Sequence, residues 1–136
     1  MDSESKVWLI TGCSSGFGRE IALEALAAGE RVGVSARNIQ DILDICARYP
    51  KTAIPITLDV TNERQMEAAI STLIKDFGKI DILVNNAGYG YLAAIEEGEN
   101  SEVLKLFETN FFGVLSLTKM VLPHMRALKS GRIINN

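Results

Sequence analysis

Five short stretches of this chain are apolar nearly from end to end, and segments of helical spacing separate them. The runs are VWLIT at 7–11, RVGVSA at 31–36, AIPITLDV at 53–60, IDILVN at 80–85 and a fifth containing Ile133. A strand with one wet face alternates apolar and polar residues, whereas a strand buried on both faces reads as a continuous apolar run. After the first run, residues 16–29 place Ile21, Ala22, Leu23, Ala25, Leu26 and Ala28 around helical spacing, and Gly29 stops it. Residues 39–48 repeat the pattern before Pro50, and 63–77 follow, with Asn62 and Gln65 spaced as a capping box. Residues 86–100 read as a loop and 102–128 as one long helix. Buried strands alternating with helices indicate a parallel sheet covered on both faces, the doubly wound α/β class.

Composition narrows the functions open to such a sheet. The 136 residues fall in the ~100–150 range usual for one domain. A content of 47% apolar and 23% charged residues excludes disorder. A net charge of −3 without any basic run argues against nucleic-acid binding. No apolar stretch nears the ~20 residues of a membrane span. The start, MDSESK, lacks the apolar core of a signal peptide. Cys13 and Cys46 form no disulfide framework or metal spacing and read as small buried thiols. A reducing, cytoplasmic setting is therefore expected. With one histidine, His124, a metal site is not expected.

The residues TGCSSGFG, 11–18, join the first strand to the first helix. A structural strand–helix turn needs one glycine; three in this context point to a phosphate loop. Gly12 lets the chain turn off the strand, Gly16 lets backbone approach a pyrophosphate, and Gly18 lets the helix pack against the sheet. Free N–H groups and the dipole at the helix start favour two phosphate charges. Ser14 and Ser15 add hydroxyl donors, and Phe17 sits within the same loop.

The spacing, Gly-x-x-x-Gly-x-Gly, resembles the short-chain dehydrogenase/reductase family, whose signature is Thr-Gly-x-x-x-Gly-x-Gly. Four further motifs follow in the family's order: Asp59-Val60, Asn85-Asn86-Ala87-Gly88, Asn110 within NFFG, and GRIIN from Gly131. The resemblance implies a Rossmann-type sheet, incomplete here relative to the family's full sheet, in one partial cofactor-binding domain over 1–136. It implies an oxidoreductase of alcohol/carbonyl substrates that is a homo-oligomer in its full-length form. It further implies that Asp59 and Val60 contact adenine, that Asn86 ties the central strands together, and that Asn110 holds a water in a proton relay.

The residues also have readings of their own. Asp59, at a strand end, either caps the next turn or accepts from an adenine amino group. Asn86 follows a strand in the crevice where the sheet order reverses, the place where ligands bind in open α/β folds. Ala87 and Gly88 are small enough for a ribose to lie against backbone. Asn110 is unfavourable inside a helix; flanked by Phe111, Phe112 and Gly113, it marks either a functional distortion or a simple kink. Tyr89, Tyr91 and Leu92 either line an upper pocket or pack the loop.

Cofactor choice is read at the end of the second strand. NAD binders of this fold place an acid there, about 20 residues past the glycine loop. This chain has Ala36 followed by Arg37. No carboxylate repels a 2′-phosphate and a guanidinium is at hand, with Ser14 as a second partner. A charge-assisted hydrogen bond of roughly 1.5–3 kcal/mol gives about a ten- to hundredfold preference for NADP(H).

Hydride transfer also needs a proton donor. The family uses a serine just after the fifth strand and then Tyr-x-x-x-Lys. None of Tyr49, Tyr89 and Tyr91 has a lysine four residues on. The expectation is a reductase cut off one or two residues before its catalytic serine. A non-catalytic NADP(H)-binding module and an inert truncation product are the alternatives. Right-handed crossovers predict the sheet order 3-2-1-4-5, with the first two helices on one face and the later two on the other. A bare patch over the fourth and fifth strands, involving Ile82, Val84 and Ile133 or Ile134, is expected to follow.

Overall fold

A computed structural model describes residues 5–136; the expectation that MDSESK is not a signal peptide falls on residues that mostly lie outside this range. Strands β1 (Val7–Ile10), β2 (Arg31–Ala36), β3 (Ala53–Thr57), β4 (Ile82–Asn85) and β5 (Arg132–Asn135) form one parallel sheet in the order β3-β2-β1-β4-β5. The crossover rule anticipates this order. Each of the first four strands leads into a helix: α1 (Gly16–Ala27) after β1, α2 (Leu43–Arg48) after β2, α3 (Glu63–Phe77) after β3, and α4 (Asn100–Phe107) with α5 (Val114–Leu128) after β4.

Two apolar cores lie on opposite faces of the sheet. On one, Ala22, Ala25 and Leu26 of α1, Ile42 just before α2 and Ile45 and Cys46 within it pack on Ile10, Val32, Val34, Ile82 and Val84. On the other, Met66, Ile70 and Leu73 of α3 and Leu117, Val121 and Met125 of α5 pack on Val7, Leu9, Ile56 and Leu83. Gly33 lets α3 come close, since a Cβ there would lie 2.9 Å from the Leu73 and Ile56 side-chain tips.

Several local expectations change. The helix expected at 39–48 opens as a 3-10 turn, Ile39–Ile42, capped by Asn38 through Gln40 N. The capping box is half formed. Asn62 Oδ1 accepts from Gln65 N at 3.1 Å, but Gln65 Oε1 reaches back to Asp59 N at 2.7 Å instead of Asn62 N. A 3-10 turn, Ile95–Glu97, interrupts the loop, and α4 starts at Asn100. The single long helix is two helices joined by a π-helical segment, Glu108–Gly113. Gly113 is pressed against β3's outgoing chain, where a Cβ would stand 2.6 Å from Val60 O.

The bare patch over β4 and β5 is also smaller than expected. Ile82 and Val84 are buried with α1, and Ile133 packs toward α3 and α5, leaving Ile134 at 44% exposure. Ile82 and Val84 belong to the core that α1 and α2 cover on that face. Exposed apolar surface gathers instead along the outer helices, at Leu104, Phe107, Phe111, Phe112 and Leu115.

Leu73 is fully buried at the centre of the larger core. Leu73→Ala is expected to lower stability by about 2–5 kcal/mol. Urea unfolding should show a lower midpoint with an unchanged slope.

Candidate functional site

The chemistry-bearing residues converge where β1 and β4 end side by side. Thr11, 1% exposed, is the hub. Its Oγ1 accepts from Asn86 N and Ala87 N, each at 2.9 Å. In return Asn86 Nδ2 donates to Thr11 O at 3.2 Å and Gly12 O at 3.1 Å. On the other flank Cys13 N donates to Ser35 O at 2.8 Å, and Ser35 Oγ donates to Ile10 O at 2.6 Å. The glycine loop is thereby fastened to both neighbouring strands.

The loop glycines do two separate jobs. Gly12 and Gly16 have φ of +69° and +62°, in the left-handed region that side chains rarely adopt. At Gly18 the constraint is space: a Cβ would stand 2.2 Å from Gly12 O and 2.4 Å from Asn86 Nδ2. The start of α1 is thus seated on the loop itself. Its first turn carries no acid, and Ser15, at its N-cap, makes no side-chain cap bond. These amide donors suit an anion.

A cleft of about 760 Å³ opens at the C-terminal ends of the strands, within the range of ligand sites. Of the residues singled out in the sequence, Gly12, Ser14, Ser15, Arg37, Asp59, Val60, Asn86, Ala87 and Gly88 line it. Gly16, Phe17, Gly18 and Asn110 do not. Gly18 is buried beneath the loop, and Phe17 projects outward. Arg37 is exposed on the cleft wall and makes no hydrogen bond or ion pair among the described residues. Asp59 forms the local turn: its Oδ1 accepts from Thr61 N at 2.9 Å and Thr61 Oγ1 at 2.7 Å.

Asn110 lies in the π segment, so the distortion read from the sequence is present. Its carboxamide faces one residue of the 86–100 loop. Oδ1 accepts from Tyr89 N at 3.0 Å, and Nδ2 donates to Tyr89 O at 2.7 Å. Only a side chain with both a donor and an acceptor makes this pair. A water therefore finds at most the second N–H and second lone pair of this amide. Gly88 has no side chain because a Cβ would lie 2.8 Å from Asn110 Oδ1.

Sequence reasoning gave Thr11 no role, nor did it select Lys105, Glu108 and Thr109, which complete the cleft wall. The signal for Thr11 was a hydroxyl at the strand end just before Gly12. Its meaning depended on β4 lying beside β1. Cys13 Sγ donates to Ile10 O at 3.3 Å, and burial pushes its thiol up to about 12. Burial also raises Cys46, with Asp44 adding to the effect.

Comparisons with known proteins agree with this geometry. The profile of the short chain dehydrogenase family matches residues 6–136. Oxidoreductase BOA17 of Botryotinia fuckeliana is 38% identical over 130 residues, covering 95% of this chain and 47% of that one. A short-chain dehydrogenase structure from Streptomyces avermitilis superposes with a TM-score of 0.95 at 43% identity, over 99% of this chain and 50% of the other. A 3-ketoacyl-(acyl-carrier-protein) reductase from Brucella melitensis, complexed with NADH, gives 0.90 at 32% identity, over 98% and 57%. The chain spans about half the length of the curated relatives it matches.

Thr11→Val keeps the shape but strands the N–H groups of Asn86 and Ala87. A loss of about 1–3 kcal/mol for each unsatisfied N–H is expected in urea unfolding, with Thr11→Ser close to wild type. Cys13 should resist thiol reagents at pH 8, where on the order of one thiol in ten thousand is ionised. Its raised folded value leaves stability intact below the ordinary 9.0 and erodes it as pH climbs toward about 12. Mass spectrometry after labelling, with and without denaturant, checks the first expectation, and melting temperature against pH checks the second.

Proposed function

Because the chain belongs to the short-chain dehydrogenase family, we propose that it forms the NADP(H)-binding part of an oxidoreductase that interconverts alcohols and carbonyl compounds. Arg37 carries the proposal: an unpaired guanidinium follows Ala36 at the end of β2, on the wall of the same cleft as Ser14 and the glycine loop. No acid occupies that strand end to repel a 2′-phosphate. The Brucella relative was solved with NADH, so cofactor choice in this chain rests on its own residues.

Bound NADPH supplies the hydride; the residues present here hold and orient it. The amides at the start of α1, that of Phe17 among them, freed by Gly16 and seated by Gly18, meet the pyrophosphate, with Ser14 and Ser15 beside it. Arg37 and Ser14 take the 2′-phosphate. Asp59 uses Oδ1 locally and keeps Oδ2 for the adenine amino group, beside Val60. Asn86, Ala87 and Gly88 present a narrow backbone edge to the ribose. Asn110 contributes to catalysis by fixing Tyr89 against this edge. The exposed stripe Leu104, Phe107, Phe111 and Leu115 favours a homo-oligomer. A cytoplasmic location accords with two free cysteines.

Calorimetry should give NADPH about ten- to hundredfold tighter than NADH, and Arg37→Ala should remove most of that difference. Equal affinities, or an unchanged preference in Arg37→Ala, would defeat the cofactor assignment. Residues 1–136 hold no tyrosine with a lysine four places on. As a polypeptide of that length they are expected to bind NADPH without oxidising it in the presence of ketones or aldehydes.

A further inference from the structure

Arg37 stands alone on its turn, and an exposed arginine is useful for discrimination only if that turn is held at a fixed distance from the glycine loop. The chain after Arg37 runs through Asn38 into the Ile39–Ile42 turn and then α2. Both of these segments are gripped by Arg19, in the first turn of α1. Arg19 forms an ion pair with the Asp44 carboxylate, and its other terminal nitrogen donates to Asp41 O at 3.3 Å. The apolar contacts of Ile42 and Ile45 with Ala22 and Leu26 set the depth of α2 on the sheet. Apolar contact has little direction of its own along α1. Arg19 supplies the direction.

We infer that Arg19, with Asp44 and the Asp41 carbonyl, is a positioning residue for cofactor selectivity: it couples the pyrophosphate end of the cleft to the turn that carries Arg37. This rests on the reading of Arg37 as the partner of a 2′-phosphate. The guanidinium of Arg19 is engaged by Asp44, which holds it away from the cleft. Arg19 is half-buried and Asp44 exposed, with side chains at 27% and 60%, so a modest effect is expected.

The discriminating variant is Asp44→Ala. If Arg19 acted as a phosphate ligand or a general positive charge, removing Asp44 would free it and strengthen NADPH binding. A positioning role predicts the opposite sign. Arg19→Ala and Asp44→Ala should each weaken NADPH about two- to fivefold, the range for an exposed ion pair, with NADH affinity unchanged. The exchange Arg19→Asp with Asp44→Arg should restore the NADPH preference. Calorimetry with both cofactors on the chain and each variant, alongside Arg37→Ala, separates the outcomes. If Arg37→Ala keeps the preference, the cofactor assignment fails and this inference with it. If Arg37→Ala loses the preference while Asp44→Ala is neutral or tightens NADPH, or the exchange does not restore it, the positioning role alone is overturned. Because all of these side chains are at the surface, melting temperatures near wild type are expected. A parallel loss of NADH binding would assign Arg19 to general stability and also count against the inference.

Discussion

One hydroxyl group holds the functional end of this molecule together. Thr11 Oγ1 receives two consecutive backbone N–H groups from the turn after β4, while the asparagine on that turn donates back to two consecutive carbonyls at the end of β1. A parallel ladder cannot continue once two strands diverge into their loops, and the orphaned amide and carbonyl groups must be satisfied by something else. Here two short side chains do this reciprocally. The lateral position of the glycine loop, the seat of α1 on it and the floor of the cleft all follow from that exchange. A valine at 11 has the same shape and none of the bonding capacity.

The sheet was legible in the sequence because burial on both faces leaves a continuous apolar signature, and because the handedness of crossovers admits few arrangements. The ends of α3 were legible for a local reason: Asn62 caps one end, and Gly78, at φ +84°, closes the other. Asn110 marked where the long helix departs from regularity, but the π geometry itself was not legible. An α-helix and a π turn share nearly the same side-chain pattern, and the choice between them depends on tertiary contact, here Gly113 against Val60 and Asn110 against Tyr89. The extent of bare surface over β4 was misjudged for a similar reason. It depended on which side chains of the first face share one core with β4, a tertiary matter that brings Ile82 and Val84 together with Ala22, Ala25 and Leu26.

The same division runs through the cleft. Positions that require a backbone conformation, Gly12 and Gly16, declare themselves by residue type, as does a charge such as Arg37 at a strand end. Asp59 does not, since a carboxylate at the start of a turn serves local amides and a distant ligand equally well. Its Oδ1 bonds to Thr61 show the local use in place. Asn110 stood out as an unfavourable residue for a helix, yet its partner, the backbone of Tyr89, lies 21 positions away and belongs to a loop with no pattern of its own.

The π segment has a consequence for how the helical arm tolerates changes in length. Successive residues of an α-helix are rotated by about 100° around its axis, so a π turn, which accommodates one extra residue, resets the phase between the parts it joins. The α5 side is anchored by Leu117, Val121 and Met125 in the core. Losing one residue from Glu108–Gly113 would therefore leave α5 in place and swing α4 by about a quarter of a revolution. Asn110 would turn away from Tyr89, and Leu104 and Phe107 would move to a different side of the arm. Insertions and deletions, usually cheap in surface segments, are in this stretch equivalent to rewriting the wall of the cleft and the outer apolar face at once.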